Sequence, residues 1–347
     1  MFLRNYWYVG AYSDEVTCEP LGRVLLGEPV VLYRTEAGAP VALEDRCAHR
    51  LLPLSMGKVI GDAIQCHYHA LEFDGTGACV RIPGQERIPP QMKVKSYPVV
   101  ERDNCVFVWM GDAKDADESK VPEIFGKLCQ DGWSATKVHC HVEGNYQLVI
   151  DNLLDLSHLA TVHASTVGSM HVADMANVET ERDGDRVKVS RWTMDVPAAK
   201  TYQQFGNYES NIDRWQISEF FPPSYFRINN GSAVAGTGAR EGTGEKPWDF
   251  WVCHGITPST QDSTHYFWHL GHRLWTDNMA DVEQFYEQCY GVVGEDIAVF
   301  EAQQKTINLD PAAPMREIGY DAGPLLARQI IDRLLEEEAA QKSGKAA

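Results

Sequence analysis

Two short stretches concentrate side chains able to hold a metal: CAHR at residues 47–50 and IQCHYHAL at 64–71. They offer Cys47, His49, Cys66 and His69 in the pattern Cys-x-His-x16-Cys-x2-His. A structural zinc site of two cysteines and two histidines ordinarily takes both thiolates from one knuckle and both imidazoles from a helix. Here each loop gives one of each. That suits a [2Fe–2S] cluster in which two thiolates hold one iron and two imidazoles the other, an arrangement with a raised reduction potential. Glycines and prolines around the loops (Gly57, Gly61, Gly75, Gly77, Pro53, Pro83) let backbone N–H groups approach sulfur. Cys79 falls outside the pattern and reads as a buried thiol. His67 reads as a surface residue or a neighbour of a ligand.

Such a cluster moves one electron at a time and needs an acceptor. DNLLDLSHLATVH, at 151–163, offers one. Asn152, Asp155 and His158 recur every third residue and would share a stripe of a helix. Leu153, Leu154, Leu156 and Leu159 surround them, so the polar groups face an apolar setting that a metal would make tolerable. His163 follows His158 by five residues. Both can reach one ion only where the helix ends or distorts between them. Two histidines and one carboxylate form the triad of non-haem Fe(II) oxygen chemistry. In the helical pattern over 281–307, Val282, Phe285, Cys289, Val292 and Val299 make an inward stripe. Asp296 lies on that stripe, whereas Glu295 and Glu301 lie off it, so Asp296 is the expected third ligand.

The elements that position these groups read as two domains, 1–115 and 116–347. The first is short strands and turns, including a hairpin over SYPVVERDNCVFVWMGD with its turn at RDN. The polar stretch 113–123 reads as a linker. Beyond it come a helix over 144–165, strands at 186–196, 214–221 and 262–275, and helices over 281–307 and 323–340. The fold class is therefore α+β: an N-terminal antiparallel β domain and a C-terminal domain with a curved antiparallel sheet flanked by helices. The 347 residues carry a net charge of −18, which repels nucleic acid. No apolar run approaches the ~18 residues of a membrane span. Nine cysteines without a leader-like N-terminus argue for a cytoplasmic chain rather than a disulfide framework.

The motif C-x-H-x16-C-x2-H followed by ALEFDGTGACVRIPGQ resembles the Rieske motif of aromatic oxygenases. N-x2-D-x2-H-x4-H and GEDIAVFE resemble their mononuclear-iron segments. RNYWYVGAYSDEV, DRWQISEFFPPS and GITPSTQDSTHYFW extend the likeness along nearly the whole chain, to the vanillate O-demethylase, toluenesulfonate methyl-monooxygenase and dicamba demethylase group. Two positions depart from it: His67 and Ala70 stand where Pro and Gly are usual. The resemblance implies a [2Fe–2S] Rieske cluster on Cys47, His49, Cys66 and His69, and a mononuclear Fe(II) on His158, His163 and Asp296, with Asn152 beside it. It implies a homotrimer in which Asp155 carries electrons across to His69 of the partner subunit. It implies O2 and electrons from NADH through a separate reductase, spent on a methoxy or methyl group of an aromatic acid. His254 and Asn230 fall at positions of contact with the acid group, and Trp251, Tyr266, Phe267 and Trp268 are candidates for an apolar pocket. Ring hydroxylation or N-demethylation are the alternatives within the same chemistry. A Rieske electron carrier without catalysis is the alternative of another class.

Overall fold

Three small antiparallel sheets build the first of two units, which comprises Met1–Glu123, Thr257–Gln261 and the chain end from Glu338. The computed structural model describes residues 1–174, 177–273, 276 and 278–344. One sheet has the order β1 (Trp7–Tyr12), β11 (Cys105–Trp109), β10 (Val99–Arg102). A second runs β2 (Leu21–Leu25), β3 (Glu28–Arg34), β4 (Pro40–Glu44), β9 (Ser96–Tyr97). The third is β5 (Lys58–Ile60), β6 (Ala63–Gln65), β7 (Glu72–Phe73), β8 (Cys79–Arg81). Asp103 and Asn104 both have positive φ, so the β10–β11 hairpin closes with the mirror-image turn that matches strand twist. The polar stretch after β11 forms two short 3₁₀ turns, Ala113–Asp115 and Glu118–Lys120, each capped by the Asp before it.

The loops bearing Cys47 and Cys66 stand on one core. Val31, Tyr33, Leu43, Leu54, Ile64 and Phe73 are buried with both thiols. The loops approach so closely that Gly57 has no room for a side chain: a Cβ there would lie 2.0 Å from the Gln65 carbonyl oxygen.

The second unit, Ile124–Ile256 with Asp262–Glu337, is organised by a seven-stranded sheet. Its strands are β12 (Trp133–Val142), β13 (Asn177–Asp183), β14 (Arg186–Val196), β15 (Ile212–Phe221), β16 (Tyr225–Val234), β17 (Trp248–Pro258) and β18 (Thr264–Arg273). Their order is β12-β18-β17-β16-β15-β14-β13, so the meander from β13 to β18 closes by bringing β12 to its far edge. Residues 274 and 275, the end of the expected last strand, lie outside the described residues.

The helices are α1 (Tyr146–Leu154), α2 (Met170–Asp174), α3 (Lys200–Gly206), α4 (Met279–Leu309) and α5 (Ala322–Gly344). The expected single helix over 144–165 is corrected here. α1 stops at Leu154, Asp155 is extended (φ −109°, ψ 96°), and a 3₁₀ turn, Leu156–Ala160, follows. The cause is local: the Asp155 carboxylate accepts hydrogen bonds from the Ser157 N–H and hydroxyl, both at 2.9 Å. A capping Asp starts a new turn rather than continuing the old one. Asn152, Asp155 and His158 therefore do not share one helical stripe. On α4 the buried stripe is Val282, Phe285, Cys289, Asp296, Phe300 and Gln304, with Val299 only half-buried.

Gly57→Ala should force the two cluster loops apart and destabilise the first unit by roughly 1–3 kcal/mol. Thermal unfolding, read together with the visible absorbance of the cluster per chain, measures both effects.

Candidate active site

The two cysteine loops share one backbone pattern. The Cys47 N–H reaches the Leu52 carbonyl at 2.9 Å, and the Leu51 N–H returns to the Cys47 carbonyl at 2.9 Å. In the second loop Cys66 N–H reaches Leu71 O at 2.8 Å, and Ala70 N–H returns to Cys66 O at 3.0 Å. Leu51 (φ 61°) and Ala70 (φ 55°) both adopt the left-handed conformation that closes such a loop. Ala70 thus keeps the geometry for which Gly is the unstrained choice.

The thiols of Cys47 and Cys66 are buried and adjacent, while His49 and His69 are exposed. The two imidazoles face one another with their Nδ1 atoms 3.2 Å apart. Burial pushes the Cys47 thiol up to about 11, against the pull of the His49 backbone N–H, and the Cys66 thiol adds to the upward shift. Among the described residues, the one group of three His, Cys, Asp or Glu donors lying within 4.8 Å of one another is elsewhere, in the second unit. These four therefore do not converge on one point, as a single tetrahedral ion requires. A thiol pair on one side and an Nδ1 pair on the other fit a two-iron cluster. His67 is exposed, and Cys79 is buried with its thiol 3.4 Å from the Arg81 carbonyl.

The second group of donors is His158, His163 and Asp296. Asp296 Oδ1 lies 3.1 Å from His163 Nε2 and 3.5 Å from His158 Nε2. Both rings are aimed by their other nitrogen: His158 Nδ1 meets the Asp155 carbonyl at 2.7 Å, and His163 Nδ1 meets Glu295 Oε2 at 2.7 Å. The 3₁₀ turn ends between the two histidines, which lets residues five apart face one point. The chain then folds back, with the Thr166 and Gly168 N–H groups at 3.0 and 2.9 Å from the His163 carbonyl. Asn152 Nδ2 stands 3.2 Å from Asp296 Oδ1 and 3.4 Å from His158 Nε2.

Burial lowers the pKa of His158, only partly opposed by Asp296, so the ring stays neutral, as a metal ligand must be. Burial acts in the same direction on His163, but the hydrogen bonds and charges of Asp296 and Glu295 outweigh it and the net shift is upward. Two Nε2 atoms and a carboxylate oxygen, converging in a buried wall, fit the non-haem Fe(II) triad. The sequence reading set Glu295 aside because it lies off the apolar stripe. The signal it missed is chemical: a ligating imidazole needs an acceptor for its second nitrogen.

A cavity of ≈ 100 Å³ borders the triad. Its floor is one face of the sheet, where alternate residues of β15 to β18 point inward: Gln216, Asn230, Val252, His254, Tyr266 and Trp268. Asn230 and His254 thus both line the cavity. Trp251 does not line the cavity. It alternates to the opposite face, where its Nε1 donates to Asp249 Oδ2 at 3.0 Å and Lys127 covers its ring. Phe267 also alternates away and stacks on His139. His254 Nδ1 is 2.9 Å from the Tyr266 hydroxyl. Burial, with a smaller contribution from His269, drives its pKa down to about 3, so it is a neutral dipole rather than a cation. The Asp155 carboxylate is partly exposed and lies 3.5 Å from Arg191 Nη2. Arg214, absent from the sequence reading, also lines the cavity.

Residues 142–337 match the family described as vanillate O-demethylase oxygenase C-terminal domain, and residues 6–98 match the Rieske [2Fe-2S] domain. The iron–sulfur subunit of the toluene-4-sulfonate monooxygenase system of Comamonas testosteroni is 40% identical over 344 residues, covering 97% of this chain and 98% of its own. A vanillate O-demethylase oxygenase subunit of Pseudomonas sp. (strain HR199 / DSM 7063) is 35% identical over 347 residues, covering 98% of this chain and 97% of its own. The crystal structure of dicamba monooxygenase bound to dicamba superposes with a TM-score of 0.87 at 29% identity, over 98% of this chain and 99% of that one.

Removal of the Glu295 carboxylate in Glu295→Ala should weaken ferrous iron binding at the triad by about 10- to 100-fold. Chelator competition measures this, and the visible spectrum of the Rieske unit should not change.

Proposed function

The chain belongs to the Rieske oxygenases of the vanillate O-demethylase group, as the oxygenase component of a monooxygenase, and from this we propose that it oxidises a methyl or methoxy group of a single-ring aromatic acid. The observation that carries the reading is the convergence of His158, His163 and Asp296 on the wall of a cavity floored by one face of the sheet. At ≈ 100 Å³ that cavity is smaller than the roughly 150 Å³ in which benzene is held, so one ring fills it and some side chains must yield to admit it.

We assign Cys47 and Cys66 to one iron of a [2Fe–2S] cluster and His49 and His69 to the other. His158, His163 and Asp296 hold the mononuclear Fe(II). When bound, the cluster supplies single electrons and the mononuclear iron supplies oxygen activation. The chain's own residues do the rest. Asp155 and Glu295 fix the two histidine rings through their Nδ1 atoms. Asn152 buttresses Asp296 through its amide. Trp268, Tyr266 and Val252 exclude water from the ring of the substrate. Oxidation of a methoxy carbon gives a hemiacetal, which collapses to a phenol and formaldehyde. Oxidation of a methyl carbon gives an alcohol.

The electron route is intersubunit in this proposal: His69 of one subunit meets Asp155 of the next in a homotrimer. The exposed imidazole rim, flanked by Leu51 (69% exposed) and Tyr68 (62%), supports it, because a subunit contact would cover that apolar edge. NADH is the electron donor, through a separate reductase. No described helix is long and apolar enough to cross a membrane, and we place the chain in the cytoplasm.

With a reductase and NADH, the enzyme should release formaldehyde from a methoxybenzoate, or yield the alcohol of an arylsulfonate methyl group, in proportion to NADH consumed. Failure with every methoxy and methyl aromatic acid would reject the reading. Asp296→Ala should hold two irons per chain instead of three and lose oxygen-dependent turnover, as iron analysis and product assay will show. Asp155→Asn should keep all the iron but slow cluster oxidation in a single turnover.

A further inference from the structure

One charged group in the cavity wall has no counter-charge. Arg214, on β15, is only 3% exposed. Its neighbour Asp213 points to the other face, where its two oxygens accept the N–H groups of Asp195 (3.0 Å) and Gly236 (2.9 Å). The Arg214 guanidinium lies over the Tyr202 ring, 4.4 Å from its centroid. Its Nε and Nη2 are buried with no hydrogen-bond partner. The chain has 49 Asp and Glu residues, yet none is paired with this guanidinium among the described residues. Arginine does not release its proton, so the charge persists. A buried charge of this kind is stable only when something else completes it.

We propose that Arg214 recognises the anionic head of the substrate, with Nε–H and Nη2–H each donating to one oxygen of a carboxylate or sulfonate. The proposal rests on the aromatic-acid reading above and names the residue that reads the acid. His254, expected from the sequence to do this, is uncharged. It also lies at the other end of the cavity floor. Arg214 pairs with Ser232 on β16 and His254 with Phe226, six residues away, or about 20 Å along the strand. No one head group spans that distance. Gln216 and Asn230 lie one step along the sheet from Arg214. Gln216 Nε2 donates to Asn230 Oδ1 at 3.3 Å, and both side chains line the cavity.

The spacing to the triad fits a substrate with its two functional groups on opposite sides of the ring. Tyr202, beneath Arg214, and Cys289 of α4 line the same cavity. Asp296 lies seven residues further along α4, about 10 Å. A single ring with the acid at one end and the methyl-bearing group at the other fills that gap.

The test uses the holoenzyme without reductase and measures equilibrium binding of 4-methoxybenzoate and 4-toluenesulfonate against uncharged 4-methoxybenzamide and 4-toluenesulfonamide. The wild type should prefer an anion, and its choice between the two identifies the head group. Arg214→Gln should lose about 10- to 100-fold in anion affinity, leave amide affinity unchanged and keep all its iron. Arg214→Lys should fall between, because an ammonium keeps the charge but not the fork. The unliganded Arg214→Gln protein should melt no lower than the wild type, since an uncompensated charge has been removed. Unchanged anion affinity in Arg214→Gln, or equal losses for anion and amide, overturns the proposal. If Arg214→Gln loses anion binding but turnover of the wild type oxidises none of the anions, the recognition role stands and the oxidation reading fails.

Discussion

A carboxylate and two imidazoles gather in a leucine-lined wall, where a charge without a partner is costly. Asp296 sits on the buried stripe of α4 between Phe285 and Phe300, where any other charge would be excluded. The local departures in the second unit serve that gathering. α1 ends early because Asp155 caps a new turn, and that turn presents His158. The chain then doubles back on His163 so tightly that a Cβ on Gly168 would lie 1.9 Å from the Leu159 carbonyl oxygen. Each distortion makes sense as the way to bring residues five apart in sequence to one point in space.

The cavity separates two kinds of electrostatics. Near the triad, burial and neighbouring carboxylates pull His158 and His163 in opposite directions. Along the sheet, the polar groups other than Arg214 are neutral: His254 is kept uncharged by burial, and Gln216 and Asn230 satisfy each other in part. The whole chain carries −18, yet the cavity floor contributes a single positive group and no negative one. Net charge thus says little about what the interior prefers. The cavity sets its own field.

What was legible in the sequence was local. Cys47, His49, Cys66 and His69 stand out in the sequence by spacing within two short loops, and the structure sets the two thiols side by side and the two Nδ1 atoms 3.2 Å apart. His158 and His163 were readable as a pair, and the need for a break between them followed from helix geometry alone, although its cause, the Asp155 cap, was not foreseen. Asp296 stood out as a charge on an apolar stripe. Glu295 and Arg214 were not legible, since their meaning lies in what a distant segment brings beside them. Trp251 shows the same limit from the other side. Period-two alternation says that Trp251 and Val252 face opposite ways, but not which of them faces the cavity. Only the register of β16 against β17 decides that.

The matched loops of the first unit form a socket that is open on one side. Their backbone bonds, with Leu51 and Ala70 held left-handed, tie each cysteine to its own loop. Beneath the thiols, Leu54, Ile64 and Phe73 close the floor completely. The exposed edge of the socket is the imidazole side, between His49 and His69, while the two cysteines are buried. A subunit contact over that edge would close the one face of the socket that is open to solvent in the single chain.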